Sequence, residues 1–210
     1  MIMAIDFGNV TTGGTDSVTA TPQNTGMSLN LEKNMTLDLT KRNPGLEKVL
    51  VGAGWDVATG GADYDLDVAA FLLRGGKLTS TTDVIFFNNK KANGVFLDKD
   101  NRTGAGDGDD EKITLELSKI DSDITEIAFC VVIFDAVSKG QTFGHVKNAR
   151  VRLVNMENNQ ELCNFPLNTD FSTDTAIVFS KLKRNGADWD YDAIGEGKQA
   201  DLNGLLAYFS

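Results

Sequence analysis

Short apolar or alternating stretches, separated by turn signals, make up most of the chain from residue 27 onward. Residues 112–117 alternate strictly between apolar and polar side chains, which is typical of a strand with one buried face. Residues 128–134 are continuously apolar and predict a central strand that is buried on both faces. In all, the pattern predicts strands at Met27–Leu31, Met35–Leu39, Lys48–Ala53, Leu66–Leu73, Asp83–Phe87, Lys112–Leu117, Glu126–Phe134, Ala149–Val154, Glu161–Pro166, Ala176–Leu182 and Trp189–Ile194.

Glycine, asparagine and aspartate turn signals separate these stretches, for example at Asn93-Gly94 and Asn185-Gly186. About ten strands at this spacing predict an all-β protein, an antiparallel β-sandwich. Only two stretches have helical character. Residues 201–209 predict a short C-terminal helix with Asp201 near its cap, and residues 138–144 predict a turn of helix or a loop.

The domain predicted from this pattern covers residues 27–210, and residues 1–26 differ from it in composition. The latter are rich in Thr, Gly and Asn and poor in core-forming side chains, so we interpret them as an N-terminal extension or arm. Two interpretations stay open, a disordered tail and an arm that adds a strand to another subunit. The first residues carry no secretory signal pattern, so we expect a cytoplasmic protein.

The overall charge narrows the range of partners. A formal net charge of −10 and a pI near 4.5 argue against nucleic acid and against anionic membrane surfaces, unless a cation bridges the two. No apolar run approaches the ~20 residues of a membrane-spanning helix. The two cysteines, Cys130 and Cys163, lie in apolar strand-like stretches outside any metal-binding spacing, and we expect two reduced core thiols.

Two short segments carry most of the negative charge. Residues 56–67 contain four acids and no base, and residues 98–111 contain six acids and two bases, so each has a net charge of −4. Carboxylates at roughly 4–6 Å repel one another by several kcal/mol per pair. Solvation with disorder, protonation or a bound cation would each relieve this repulsion. Glycines in both segments allow the backbone to curl around one point, and we interpret the segments as calcium sites.

The residue types in these segments favour a hard cation. If residues 63–67 are extended, the carboxylates of Asp63, Asp65 and Asp67 share one face and the intervening side chains point to the core. Calcium takes six to eight oxygen ligands, and an all-oxygen set disfavours zinc and copper. Neither segment fits an EF-hand, because Val68 and Thr103 stand where that loop requires glycine.

Enzyme templates find little support in the chain. The one histidine, His145, is interpreted as a structural or surface residue, and the sequence has no nucleophile elbow, zinc-protease motif or P-loop. Paired carboxylates can cleave a glycoside, but no aromatic cluster accompanies the acids here. We therefore expect a protein that is not an enzyme.

Several motifs together resemble the signature of the TerD-type tellurite-resistance and stress-response family. The resemblance covers roughly residues 27–209. It rests on residues 49–56 (Val-Leu-Val-Gly-Ala-Gly-Trp-Asp), 63–73, 86–88 (Phe-Phe-Asn), 100–111, 133–136 (Ile-Phe-Asp-Ala), 141–144 (Gln-Thr-Phe-Gly), 152–155 (Arg-Leu-Val-Asn) and 189–209.

This resemblance implies a non-enzymatic β-sandwich that binds two Ca²⁺ ions at adjacent sites and acts in bacterial or phage stress responses. It implies protein partners or self-association, in the cytoplasm or in a complex peripheral to the inner membrane. Matching motifs carry the metal-binding role onto ten residues: Asp56, Asp63, Asp65, Asp67, Asn88, Asp100, Asn101, Asp109, Asp110 and Glu111.

The chain departs from the family pattern at two places. The N-terminal extension precedes the usual family start, and His145 stands where many members carry Gln. The first departure keeps an alternative hypothesis open, a structural assembly protein of a virion or filament that oligomerises through its N-terminal arm.

Overall fold

The computed structural model describes residues 28–57, 64–98, 108–167 and 171–210. The N-terminal extension and three of the predicted calcium ligands, Asp63, Asp100 and Asn101, lie outside these residues. The described strands are β1 Leu29–Asn30, β2 Thr36–Asp38, β3 Lys48–Val57, β4 Leu66–Leu73, β5 Val84–Ile85, β6 Lys91–Ala92, β7 Val95–Leu97, β8 Glu111–Glu116, β9 Glu126–Ile133, β10 Val146–Asn155, β11 Gln160–Pro166, β12 Ala176–Asn185 and β13 Asp188–Lys198. The α-helices are α1 Leu39–Arg42, α2 Ala136–Lys139 and α3 Leu202–Phe209.

These strands form two stacked sheets, which confirms the predicted β-sandwich. Sheet A has the order β1-β11-β10-β3-β8-β7-β6, and sheet B has the order β2-β13-β12-β9-β4-β5. Every pairing is antiparallel except that of β1 with β11, which is parallel. The four edge strands are only two or three residues long, and short edges leave little backbone for a further strand to pair with.

Apolar side chains pack in two layers. The larger layer fills the space between the sheets and includes Trp55, Tyr64, Leu66 and Val68. The smaller layer lies on the outer face of sheet B, where α3 covers side chains of β4, β9 and β12. Both buried strands expected from the pattern, β8 and β9, show the predicted burial, alternating in β8 and continuous in β9.

Helix α3 matches the predicted C-terminal helix. Asp201 is its N-cap, and Oδ1 of Asp201 accepts a hydrogen bond of 2.8 Å from the backbone N–H of Gly204. Leu205 and Phe209 of α3 are buried against sheet B, and the rings of Phe71 and Phe209 lie 4.8 Å apart. None of the described helices combines the length and apolar character needed to cross a membrane.

Candidate metal centre

Both acidic segments connect to strands at one end of the sandwich. Strand β3 ends at Val57 and β4 begins at Leu66, on either side of the first segment. Strand β7 ends at Leu97 and β8 begins at Glu111, on either side of the second. Antiparallel register pairs Ala53 of β3 with Glu111 of β8, so the end of β3 adjoins the start of β8. The described flanks of the two segments are therefore neighbours.

Asp65 and Asp67 precede and enter β4, and both side chains are half-buried. Tyr64, Leu66 and Val68 are buried between the sheets, so the predicted alternation is confirmed where the structure describes it. Asp67 lines the outer face of sheet B instead, together with Val132, its register partner on β9.

Asp109 lies on the outer face of sheet A, where its carboxylate is held by Arg152 of β10. The Nε of Arg152 donates to Oδ1 at 2.7 Å and its Nη2 donates to Oδ2 at 2.9 Å. Only 1 % of the Asp109 side chain is exposed. These hydrogen bonds are the main reason why the pKa of Arg152 lies above its usual value. Such a two-pronged pair fixes both position and orientation of the carboxylate.

Asp110 is buried and binds β3 twice. Its backbone N–H donates to the carbonyl of Ala53 at 2.8 Å, and its Oδ2 accepts from the backbone N–H of Trp55 at 3.0 Å. Asp110 therefore attaches to β3, whereas the preceding residue, Asp109, attaches to β10.

Glu111 faces the space between the sheets and is 1 % exposed. Its Oε2 accepts from the backbone N–H of Val68 at 3.3 Å, which joins β8 of sheet A to β4 of sheet B. Three consecutive acids thus contact β10, β3 and β4. The C-terminal end of the second acidic segment is fixed to both sheets.

The other two described candidate ligands, Asp56 and Asn88, are exposed to solvent. Asp56 is exposed near the end of β3, and its Oδ2 accepts from Nδ2 of Asn148 at 2.6 Å. Asn88 is exposed in the turn that follows β5, beside the bridge between Phe86 and Asn89.

The described acids do not form a complete metal site by themselves. Within residues 28–57, 64–98, 108–167 and 171–210, no three His, Cys, Asp or Glu side chains are grouped so that they could hold a metal ion. Their oxygens fit a hard cation in chemistry, and they occupy both sheets around one end of the sandwich. A complete shell for calcium needs oxygens from the two acidic segments between these flanks.

Three residues that support this arrangement were not assigned a role from the sequence. Arg152 holds Asp109, and Gly52 and Gly54 leave room for residues 108–109 on the face of β3. A Cβ on Gly52 would overlap the Asp109 carboxylate, and one on Gly54 would lie 2.7 Å from the carbonyl oxygen of Gly108. The spacing Gly-Ala-Gly was a usable signal, because it leaves one face of a strand bare.

Groups that carry nucleophilic or redox chemistry elsewhere are inaccessible or isolated. Cys130 and Cys163 are free and buried, which confirms the prediction of core thiols. Burial raises the pKa of both thiols, that of Cys163 to about 12, so little thiolate is present at neutral pH. His145 is exposed, and its ring centroid lies 6.3 Å from that of Tyr64.

The class of this protein is a two-sheet β-sandwich in which one acidic segment joins β3 to β4 and another joins β7 to β8. The TerD domain family matches residues 27–209, and the chain belongs to that family. The resemblance inferred from the motifs is therefore confirmed.

Relatives in this family carry names from stress physiology. The chain is 47 % identical over 181 residues to general stress protein 16U of Bacillus subtilis, covering 84 % of this chain and 94 % of that protein. It is 41 % identical over 187 residues to tellurium resistance protein TerD of Serratia marcescens, covering 87 % and 97 %. A crystal structure of a Streptomyces coelicolor homologue of TerD matches in fold, with a TM-score of 0.64 and 23 % identity over 77 % of this chain and 96 % of that one.

Proposed function

We propose that this chain is a calcium-binding stress-response protein without enzymatic activity, in which the two acidic segments hold two Ca²⁺ ions. The observation that carries the proposal is the placement of the flanks of both segments at one end of the sandwich, joined by the Ala53–Glu111 register. The two segments together carry eight negative charges in excess, and such an excess of carboxylates favours a divalent cation.

The anchored acids supply a rigid support for such a site. Asp110 and Glu111 each use a carboxylate oxygen to accept a backbone N–H, and a carboxylate has lone pairs left for a cation. Asp109 differs, because Arg152 engages both of its oxygens. In this proposal Asp109 positions the segment, and Asp56, Asp65, Asp67, Asp110 and Glu111 supply oxygens together with Asp63, Asp100 and Asn101.

The names of the relatives support a role in stress or tellurium resistance. In our proposal calcium relieves the repulsion between the acidic segments and fixes a surface that protein partners recognise. Two buried free thiols support a reducing compartment, the cytoplasm, and argue against direct reduction of tellurite by this chain.

Isothermal titration calorimetry of calcium into EDTA-treated protein tests the proposal. We expect about two ions per chain with dissociation constants on the order of micromolar, as in calcium sensors. The double variant Asp65→Asn/Asp67→Asn removes two charges from the first segment without changing side-chain size, and we expect it to lose at least one ion.

Glu32→Gln is the matched control, because Glu32 is an exposed acid near β1 and β2, outside both acidic segments. It should bind calcium as the wild type does. Absence of binding heat in the wild-type protein, or equal losses in the control and the double variant, would contradict the proposal.

A further inference from the structure

The outer face of sheet B carries an apolar groove beside Asp67, and the calcium proposal gives no role to the other described residues that line it. Its cavity measures about 310 Å³, and Ala69 of β4 and Val132 of β9 form part of its floor. The turn after β5, the residues that follow β9 and the start of α3 line the rest. This volume falls at the lower end of the range of ligand pockets, roughly 300–1,000 Å³.

Aromatic side chains give this groove an ordered wall. The rings of Phe86 and Phe87 meet edge to face at 5.2 Å, and those of Phe87 and Phe134 meet edge to face at 6.1 Å. Edge-to-face packing fixes these rings relative to one another. The wall is therefore formed before any partner arrives, which lowers the entropic cost of binding.

Apolar surface also continues beyond the cavity. Phe134 is 44 % exposed and Val137 is 89 % exposed, and they are two of the five large apolar side chains that stand out from the described surface. Both line the groove. Contiguous exposed apolar surface rimmed by polar groups is typical of a protein interaction site.

The charge of the lining selects the chemistry of the partner. Asp67, Asp135 and Asp201 line the groove, and none of its described lining residues is basic. The Nζ of Lys139 lies over the Phe134 ring at 5.4 Å and donates to the Phe134 carbonyl, so this cation covers one face of the ring. Because Asp67 belongs to the calcium proposal, the carboxylates of Asp135 and Asp201 beside the apolar floor are the ones that complement a segment with an apolar anchor and flanking positive charges.

We propose that this groove docks a peptide segment of a partner protein, with one large apolar side chain in the cavity and Lys or Arg residues against Asp135 and Asp201. The proposal goes beyond calcium binding, because Phe134, Asp135, Val137 and Asp201 are not among the proposed calcium ligands. The short edge strands β2 and β5 of the same sheet argue against docking by strand addition.

A random dodecapeptide library displayed on phage tests the proposal against the folded full-length chain, once in EDTA and once in calcium. We expect enriched peptides that combine a Leu, Ile, Met or Phe anchor with at least two Lys or Arg residues. Their affinity should fall as the salt concentration rises, because the flanking contacts are electrostatic.

Three variants identify the site. Val137→Asp places a charge on a side chain that is almost fully exposed, so folding is retained, and it should weaken the enriched peptides by about tenfold or more. Asp135→Asn removes one carboxylate while keeping a residue suited to its left-handed backbone (φ 59°), and it should weaken them by about threefold at low salt. The control Met156→Asp changes another exposed apolar side chain outside the groove lining and should leave binding unchanged.

Three outcomes would overturn the proposal. They are failure to enrich any peptide, enrichment of acidic or uncharged peptides, and binding that Val137→Asp does not weaken. A change of oligomeric state in Val137→Asp alone, measured by light scattering, would identify the groove as a contact between copies of this chain and would also overturn it. Calcium binding measured on the same samples reports separately on the preceding proposal.

Discussion

At the scale of single residues, the packing of residues 108–109 on the outer face of β3 depends on two glycines of that strand. Gly52 lies under the Asp109 carboxylate and Gly54 under the carbonyl of Gly108. The backbone of residues 108–109 can approach β3 only because neither position has a Cβ. These glycines therefore set the distance between residues 108–109 and sheet A.

Substitution of Gly52 by alanine tests this requirement. We expect a loss of about 1–3 kcal/mol in the free energy of unfolding, because the new methyl group overlaps the Asp109 carboxylate and displaces it from Arg152. Urea denaturation measures the change. In an Asp109→Ala background the overlap is absent, so the same substitution should cost much less; an equal cost in both backgrounds would contradict this explanation.

Arg152 makes a second prediction at this scale. Arg152→Leu leaves the Asp109 carboxylate, 1 % exposed, without its partner in a buried position. We expect a destabilisation of about 3 kcal/mol, the lower end of the range for broken buried pairs, because a third of the Arg152 side chain is exposed. Thermal and urea unfolding measure this loss.

Arg150→Leu is the matched control for that variant. Arg150 lies on the same face of β10 and makes one hydrogen bond of 3.2 Å to the carbonyl of Gly108. Its loss should cost under about 1 kcal/mol. Similar destabilisation by the two leucine substitutions would show that apolar exposure, and not the Asp109 pair, causes the effect.

The orientation of a side chain on a strand can be predicted from the sequence, but its partner on another strand cannot. The alternation around Asp65 and Asp67 follows from the period of a strand and needs no tertiary information. The Asp109–Arg152 pair joins positions 43 residues apart, and it forms because β3 lies between β8 and β10. No local sequence pattern encodes that strand order. The motif at residues 152–155 therefore indicates the family but does not reveal that Arg152 holds Asp109.

At the scale of elements, α3 covers the smaller apolar layer on the outer face of sheet B. Phe209 is 3 % exposed and packs on Phe71, while its neighbour Tyr208 is 48 % exposed. Phe209→Ala should cost about 3–5 kcal/mol, as expected for a large core deletion. Tyr208→Ala is the control and should cost far less. Comparable losses in urea denaturation would show that α3 contributes little through its buried face.

The hydrophobic pattern of the sequence does not predict the shortest strands and helices. The hairpin of β6 and β7 surrounds the predicted Asn93-Gly94 turn, but strands of two and three residues are too short to show a period. Residues 35–39 were predicted as one strand, and the chain leaves the sheet at Asp38 to form α1. The parallel pairing of β1 with β11 was also not expected, because a stretch this short gives no sequence signal of its direction.

At the scale of the whole molecule, the sandwich itself was predictable and its strand order was not. The number and spacing of apolar stretches define two packed sheets with helices at the margin. Adjacency of the described flanks of the two acidic segments depends on β3 pairing with β8, strands that are more than fifty residues apart. The candidate metal centre is therefore a product of the strand order.

Calcium should stabilise the whole molecule if that end binds it. At a free concentration about 1,000 times the dissociation constant, one site adds about 4 kcal/mol, and for a domain of this size 1 kcal/mol corresponds to about 2–4 °C. We expect the melting temperature in 1 mM calcium to exceed that in EDTA by about 8–16 °C per site. Sodium chloride at equal ionic strength controls for screening of the net charge of −10. The shift should shrink in Asp65→Asn/Asp67→Asn and persist in Glu32→Gln; a shift no larger than that in sodium chloride would mean that the carboxylates at this end are stabilised by solvent alone.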